Sequence, residues 1–177
     1  MGVIRTSSGK TITNQGEVKT FLAENGIEFA TWGTQRVPKT VTSKTLSPAE
    51  KEEILRLYKP EIDELVARRG YLVADMVSLS PDTPNLSGIM ANFKKEHFHT
   101  DDEVRFVAAG KGIFFIRGKD GKIFDCEVHP GDLIVVPANT WHYFDLCEDS
   151  NIACVRVFKT KEGWVANYKE EARAANA

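Results

Sequence analysis

The chain has 177 residues, of which 42% are apolar and 27% charged, and its formal net charge is −2 at pH 7. This balance is typical of a soluble globular protein with a hydrophobic core and differs from that of a disordered chain. Acidic and basic residues are mixed along the sequence, so no basic block indicates a partner, and we expect neither nucleic acid nor membrane to bind.

Three features bear on the compartment in which the protein works. The longest apolar runs, such as LIVVPA at 133–138, are too short to span a bilayer, and the first residues lack the apolar stretch of a secretory signal. The cysteines Cys126, Cys147 and Cys154 are odd in number and contain no CxxC spacing, which predicts reduced thiols. We therefore expect a cytoplasmic protein, and the polar surface favours a monomer.

Residues 1–95 carry most of the helical signal. The stretch GEVKTFLAENG (16–26) repeats apolar residues at helical spacing and stops at a glycine, which predicts a short helix. Further along, Ser47, Pro48 and Glu50 stand in the pattern of a capping box with proline at the first helical position. A second helix is therefore predicted from Pro48 onwards.

Pro60 interrupts the periodicity of this second helix, which predicts either a further helix or a kinked continuation. The buried stripe beyond the proline is expected at Ile62, Leu65 and Val66. The apolar stretch GYLVADMVSL (70–79) predicts the first strand of the chain. After it, NLSGIMANFKK (85–95) predicts a short helix that leads to a pair of histidines.

Beyond this helix the sequence changes to short stretches rich in Val, Ile and Phe that are separated by Gly, Pro and Asp. Such spacing is typical of an antiparallel barrel or jelly roll, whose core we expect over about 70–165. The Asp-Gly pair in KDGK (119–122) predicts a hairpin turn. The final NYKEEARAANA is polar and predicts a surface helix or a frayed tail, and no linker divides the chain, so we expect a single domain over 1–177.

The stretch KKEHFHTDDEVRFVAAG (94–110) contains two of the four histidines of the chain. Successive side chains of a strand point to opposite faces, so residues of equal parity share a face. In an extended segment, four polar residues of odd number point inward: His97, His99, Glu103 and Arg105. The other face then carries Phe98, Val104 and Phe106. Two imidazoles and one carboxylate suit a divalent metal such as Fe, Ni, Mn, Co or Zn.

A fourth ligand has to come from another strand, and two histidines remain. His129 stands in the turn HPGD and is interpreted as an exposed loop histidine. His142 follows GDLIVVPANT, a strand and turn that can return it across the barrel. Four protein ligands leave two adjacent positions on an octahedral ion, enough for a bidentate anionic substrate. Arg105 would add a cation for enolate oxygens, or alternatively form a surface salt bridge.

Two motifs carry a resemblance to a known superfamily. Residues 97–110 match H-x-H-x3-E-x6-G, and residues 131–142 match G-x5-P-x-N-x-x-H. Together they resemble the two motifs of the cupins, with Asn139 in place of the usual glycine, and asparagine also tolerates a left-handed turn. The resemblance implies a mainly β fold, a cupin double-stranded β-helix (jelly-roll barrel), here with flanking N-terminal helices.

Three separated blocks resemble a particular cupin family, the acireductone dioxygenases of methionine salvage. These blocks are EHFHTDDEVRFVAAGKGIFFI, DLIVVPANTWHYFD and VRVFKTKEGWVANY, and with ELVARRGYLVADMVSL the similarity covers most of residues 50–170. The resemblance implies that the chain cleaves 1,2-dihydroxy-3-keto-5-methylthiopentene with O2. The Fe²⁺ form would yield formate and 4-methylthio-2-oxobutanoate, and the Ni²⁺ form formate, CO and 3-methylthiopropanoate, with one metal ion per chain.

The same resemblance implies roles for individual residues. The metal ligands would be His97, His99, Glu103 and His142. Arg105 would help to form and hold the substrate dianion. Glu96 matches a position linked to metal incorporation, and Asp102 matches one thought to relay a local conformational change, although either can be a solvated acid.

Two sets of alternatives stay open at this point. Phe93, Trp141 and Phe144 are candidates for the wall around the methylthio tail, or for core packing. The chain could also be a different metal-dependent cupin enzyme, such as a sugar-phosphate isomerase or another dioxygenase. A cupin that binds a ligand without catalysis would need neither Arg105 beside the metal nor reactivity towards oxygen.

Overall fold

The computed structural model describes residues 2–41, 44–160 and 162–169, which form two antiparallel sheets with helices packed outside them. The helices are α1 (Gln15–Glu24), α2 (Pro48–Leu57), α3 (Lys59–Arg69) and α4 (Leu86–Phe93). The strands are β1 (Val3–Arg5), β2 (Thr11–Ile12), β3 (Glu28–Thr31), β4 (Val73–Leu79), β5 (His97–Phe98), β6 (Glu103–Gly110), β7 (Gly112–Arg117), β8 (Ile123–Val128), β9 (Asp132–Val136), β10 (His142–Leu146), β11 (Ile152–Phe158) and β12 (Asn167–Tyr168). None of these helices is long and apolar enough to cross a membrane.

The strands are divided between two facing sheets. One sheet has the order β12-β5-β10-β7-β8-β1-β2, and the other has the order β3-β9-β6-β11-β4. Neighbours along the chain often lie in different sheets, as β5 and β6 do, which is the arrangement of a jelly roll. The predicted mainly β cupin fold with flanking N-terminal helices is therefore confirmed.

The helices follow the predicted pattern closely. Ser47 accepts a hydrogen bond from the Glu50 amide while the Glu50 carboxylate accepts one from the Ser47 amide, so the capping box is present. A break at Tyr58 separates α2 from α3, and Pro60 lies in the first turn of α3, where its missing N–H is harmless. Of the two alternatives at Pro60, the separate helix is correct.

The prediction that residues 70–79 form the first strand is wrong, because three short strands precede β4. The strand β1 pairs with β8, and β3 pairs with β9 at the edge of the other sheet. These early strands are only two to four residues long. Strands of this length show no periodicity, and β1 and β3 have partners about a hundred residues further along the chain, so local pattern cannot reveal them.

Two apolar layers hold the sheets in place. The first lies between the two sheets and includes Phe114, Ile134 and Cys154. The second lies between the outer face of the five-stranded sheet and helices α2 and α3, and includes Val104 and Phe106. The middle strands of this sheet are covered on both faces, which explains why all five residues of β9 are buried and why the four that follow Asp132 are apolar.

The turn predicted at 119–122 joins β7 to β8, as expected, but it is longer than a two-residue turn. Gly118 donates a backbone hydrogen bond to the Lys122 carbonyl, and only Gly121 within this loop has a positive φ, of 78°. The predicted polar tail also differs from the structure, since Asn167 and Tyr168 pair with β5 as strand β12. Residues 170–177 of that tail lie outside the described residues.

Gly110, the glycine that ends the first motif, is predicted to be indispensable for stability. It has a φ of 68°, and a Cβ atom there would lie 2.1 Å from the backbone oxygen of Asn151. Alanine would be strained in the left-handed conformation, and its Cβ would also overlap the backbone of Asn151. Because the two energetic costs add, Gly110→Ala should lower the free energy of unfolding by about 2 kcal/mol or more. Urea unfolding measures this change.

Gly121→Ala is the matched control, since its φ is 78° but no atom of the described residues lies within 4 Å of the added Cβ. Only backbone strain remains there, at about 1 kcal/mol. Equal losses in the two variants would contradict the role given to the Asn151 contact.

Candidate metal centre

Four predicted ligands converge in the space between the two sheets. His97 in β5 and His142 in β10 are directly opposite each other in one sheet, and Glu103 begins β6 in the other. His99 follows β5 on the chain segment that crosses between the sheets. Within β6 the strand alternation predicted from the sequence is confirmed, because Val104 and Phe106 point to the opposite side and pack in the outer apolar layer. The segment is not extended throughout, since residues 99–102 lie between β5 and β6.

The four side chains could hold one metal ion. Each offers a ligand atom, and these atoms all lie within 4.8 Å of one another. The Nε2 atoms of His142 and His99 are 2.7 Å and 3.2 Å from Oε2 of Glu103. All four residues are buried, with exposed fractions of 7%, 7%, 5% and 2% for His97, His99, Glu103 and His142. Bulk water therefore does not compete strongly for the donor atoms.

Backbone carbonyls orient the imidazole rings. Nδ1 of His97 is 2.7 Å from the Lys95 carbonyl, and Nδ1 of His142 is 2.8 Å from the Thr140 carbonyl. If each Nδ1 carries the hydrogen and donates it, the Nε2 lone pair points into the cluster, which is the tautomer that a metal ligand needs. In neutral His142 that lone pair would face the Glu103 carboxylate at 2.7 Å, and two hydrogen-bond acceptors repel each other at this distance. A cation bound between them would remove the repulsion.

The electrostatics of the cluster also favour a bound cation. Burial opposes the charge on Glu103, but Arg105 and His142 outweigh it and hold the pKa of this carboxyl well below its usual range. Burial lowers the pKa of His97, so its imidazole is neutral at pH 7. Burial lowers the pKa of His142 but Glu103 raises it more, so a metal ion would replace the proton between these two groups. One carboxylate with imidazoles in the neutral form is the donor set that borderline divalent metals accept.

Arg105 is the cation next to this cluster. Its Nη2 lies 2.9 Å from Oε1 of Glu103, and its guanidinium carbon lies 4.2 Å from the centre of the Trp164 ring. The side chain is only 14% exposed, so the alternative of a surface salt bridge is wrong. The contacts with Glu103 and Trp164 hold the positively charged guanidinium of Arg105 at the wall of the cavity, next to the Glu103 carboxylate.

A cavity of about 350 Å³ opens from the ligands. One end carries the four ligands and Arg105, and the other end is apolar, with walls from Val77, Leu79, Phe93, Phe114, Phe144 and Ile152. Phe93 and Phe144 therefore line the cavity, so of the two alternatives left open for them the cavity wall applies. Trp141 does not, since its ring packs edge-on against Phe98 with the centroids 4.9 Å apart.

Sequence reasoning gave no role to two residues that border the ligands. Trp164 lies in a short 3-10 turn (Glu162–Trp164) and stacks on the His99 ring at 5.7 Å with an interplanar angle of 17°. Arg156 lines the same cavity and forms an ion pair with Asp75. Trp164 belongs to VRVFKTKEGWVANY, one of the blocks that resemble the family, and this resemblance is the only sequence signal that points to it. No periodicity in the sequence predicts that its side chain reaches the cavity.

His129 lies outside the metal cluster, as its position in a turn predicted. Its side chain is 30% exposed, and its Nε2 lies 3.0 Å from a carboxylate oxygen of Glu127. Glu96 also points away from the cavity. It accepts hydrogen bonds from Arg117 Nε at 2.8 Å and from Lys169 Nζ at 2.9 Å, so it links β5 to β7 and to the chain after β12.

Asp102 connects three parts of the fold near the ligands. Its carboxylate accepts a hydrogen bond of 2.7 Å from the Tyr71 hydroxyl and one of 3.0 Å from the Ala138 amide. Like Glu96, it does not line the cavity. Its contacts join the segment between His99 and Glu103 to the turn before His142.

We expect Asp102→Ala to destabilise the protein by about 1–3 kcal/mol, because a buried tyrosine hydroxyl and a backbone amide lose their acceptor. The midpoint of urea unfolding measures this loss. Asp149→Ala, at an exposed position, serves as the control and should shift the midpoint very little. A similar midpoint for both variants would mean that the Asp102 contacts contribute nothing to stability.

The fold and the site together define a class of protein: a cupin with a three-histidine, one-glutamate site for a divalent metal. A sequence model of the ARD/ARD' family matches residues 4–166. An acireductone dioxygenase from Bacillus cereus is 49% identical over 158 residues, 89% of this chain and 93% of that protein. One from Bacillus velezensis is 47% identical over 174 residues, 97% of this chain and 98% of that protein.

A solved structure gives the same result. It is an acireductone dioxygenase from Bacillus anthracis with a cadmium ion in its active centre, and it superimposes with a TM-score of 0.91. It is 46% identical, and the match covers 95% of this chain and 98% of the other. The chain belongs to the acireductone dioxygenase (ARD/ARD') family.

Proposed function

We propose that the chain is an acireductone dioxygenase that holds one Fe²⁺ or Ni²⁺ ion through His97, His99, Glu103 and His142. The observation that carries this proposal is the convergence of four buried donor atoms within 4.8 Å at the floor of the cavity. The carbonyls that orient His97 and His142 support it, since they select the tautomer that a metal requires. The cadmium ion in the Bacillus anthracis relative adds support for a divalent ion.

The substrate we propose is 1,2-dihydroxy-3-keto-5-methylthiopentene, which O2 cleaves to formate and a shorter acid. A bound divalent metal would supply Lewis acidity and two adjacent coordination positions for the oxygens of the substrate dianion. The family membership of the chain supports this choice of substrate. The two-part cavity also fits it, because polar oxygens belong at the ligand end and an apolar tail at the other.

Arg105 is proposed to stabilise the negative charge of the substrate dianion. Its guanidinium is held by Glu103 and by the Trp164 ring, so it is already oriented before substrate binds. A fixed cation beside a bound enediol favours its ionised form over the neutral form. Arg105 would thereby lower the pKa of the substrate hydroxyl.

The choice between iron and nickel, and hence between products, is proposed to follow metal supply. Both ions accept imidazole and carboxylate ligands, and nickel binds a given set of such ligands more tightly than iron. With iron the products would be formate and 4-methylthio-2-oxobutanoate. With nickel they would be formate, CO and 3-methylthiopropanoate.

Oxygen consumption tests the proposed reaction. Metal-free protein is loaded with Fe²⁺ or Ni²⁺ without air, mixed with the acireductone, and then exposed to O2 while the absorbance of the substrate is followed. We expect rapid loss of absorbance with either metal, CO only with nickel, and no acceleration in chelator-treated protein. Absence of oxygen-dependent turnover with both metals would leave an isomerase or a binding protein as the explanation of the site.

We further propose that residues 1–177 act as one domain and that the protein is a cytoplasmic monomer. The extensive apolar layer between the two sheets, to which both the N-terminal and the later strands contribute, supports the first point. Light scattering during size-exclusion chromatography tests the second, with an expected mass near the 19.8 kDa of one chain.

A further inference from the structure

Gly112, the first residue of β7, lies directly beneath an aromatic ring of the cavity wall. A Cβ atom at Gly112 would be 2.3 Å from Cζ and 2.5 Å from Cε2 of Phe144, and 3.2 Å from Cδ1 of Ile152. Real Cβ atoms essentially never approach a neighbour within 3.0 Å. Phe144 can therefore occupy its present position only because residue 112 has no side chain.

Phe144 in turn belongs to the wall of the apolar end of the cavity, on the side nearest the ligand His142. It lies two residues after the ligand His142 on the same strand and the same face, about 7 Å further along. Its ring packs edge-on against Phe114 with the centroids 5.1 Å apart, and against Phe93 at 6.4 Å. These three rings line the apolar part of the cavity.

We propose that Gly112 is a specificity-determining residue, which sets the length of the substrate tail that the cavity accepts by letting the Phe144 ring lie back against β7. This inference rests on the proposed function only in taking the cavity as the place where a metal-chelating molecule with an apolar tail binds. Gly112 itself touches no ligand of the metal site, since its partner in β10 is Leu146, four residues beyond His142.

The direction in which the ring would move follows from its surroundings. To reach ordinary contact, which begins near 3.4 Å, the ring has to withdraw from a Cβ on residue 112 by about 1 Å. Phe114 and Ile152 are buried and close the sides of the site, with exposed fractions of 2% and 3%. The open side is the cavity, so a methyl group on residue 112 pushes the ring towards the tail of a bound molecule and shortens the cavity.

Binding of aliphatic hydroxamates to the Ni²⁺-loaded protein tests this proposal without any turnover. Hydroxamates chelate a divalent metal through two oxygens, and a series from acetohydroxamate to octanohydroxamate extends the tail one carbon at a time. For the unaltered protein, affinity should rise with chain length up to a limit. In Gly112→Ala the limit should come at a shorter chain, with a loss of at least about tenfold for the longer members. Acetohydroxamate should bind equally well to both.

The double variant Gly112→Ala with Phe144→Leu should move the limit back to longer chains, because leucine does not reach over the new methyl group. Nickel content of one ion per chain should be the same in all three proteins. Equal losses for short and long hydroxamates, or an unchanged chain-length limit in Gly112→Ala, would overturn the proposal.

The hydroxamate series and the oxygen assay can fail independently. If the unaltered protein binds the hydroxamates but consumes no O2 with acireductone, then the proposed reaction is wrong while the role of Gly112 is still decided by the chain-length limit. If it consumes O2 normally and the limit does not move in Gly112→Ala, then only the role of Gly112 is wrong.

Discussion

Replacement of His99 by alanine should empty the metal site. The imidazole is buried and its Nε2 lies 3.2 Å from Oε2 of Glu103, within the cluster that would surround the ion. Removing only a group that orients a ligand already weakens metal affinity by about 10- to 100-fold, and removing a ligand itself should weaken it more. After dialysis against a weak chelator, we expect His99→Ala to retain far less than one metal ion per chain. Inductively coupled plasma mass spectrometry measures the metal content.

His129→Ala is the matched control for this experiment. His129 is the histidine that lies outside the four-residue cluster, and its contact is with Glu127 on the far side of the sheet. That variant should keep its full metal content. Equal metal retention in the two variants would show that the ion is held elsewhere, and a loss of metal from both would indicate a general loss of structure.

Replacement of Arg105 by alanine should have the opposite signature, with metal retained and turnover nearly lost. Three imidazoles and Glu103 remain in place, while the fixed cation facing the substrate disappears. Loss of one preoriented group that stabilises developing negative charge typically reduces kcat by about 100- to 1,000-fold. We expect a decrease of this size in oxygen-dependent turnover of acireductone by the metal-loaded Arg105→Ala protein.

The Arg105→Lys variant separates charge from geometry. Lysine keeps the positive charge but lacks the planar group that contacts both Glu103 and the Trp164 ring, so its turnover should lie between those of the other two proteins. If Arg105→Ala instead lost its metal while the fold survived, the main role of Arg105 would be to hold Glu103 in position rather than to stabilise substrate.

The ligand set could be predicted from the sequence because it depends on two local rules. Strand alternation predicted that His97, Glu103 and Arg105 point inward, and all three line the cavity, although His97 lies in one sheet and Glu103 and Arg105 lie in the other. The choice of His142 over His129 depended on a strand and turn between the second motif's glycine and its histidine, and His142 indeed lies opposite His97. Asn139 in that turn has a φ of 62°, as its substitution for glycine implied.

The remainder of the site depends on contacts between residues far apart in the chain, which no local pattern contains. Trp164 reaches His99 from 65 positions away, and only the folded chain shows that its ring covers the ligand. In the sequence Gly112 looks like an ordinary turn glycine after Lys111. In the structure a side chain at this position would collide with the Phe144 ring of the neighbouring strand β10. The strands β1 and β3 were missed for the same reason, because their partners are β8 and β9.

Three imidazoles and one glutamate, supplied by both sheets, are proposed to bind a single divalent ion. Anomalous diffraction at the nickel edge from crystals of the Ni²⁺-loaded protein would locate that ion. We expect one strong peak per chain, about 2 Å from Nε2 of His97, His99 and His142 and from a carboxylate oxygen of Glu103. A peak that lies elsewhere, or one that His142 does not reach, would contradict the claim.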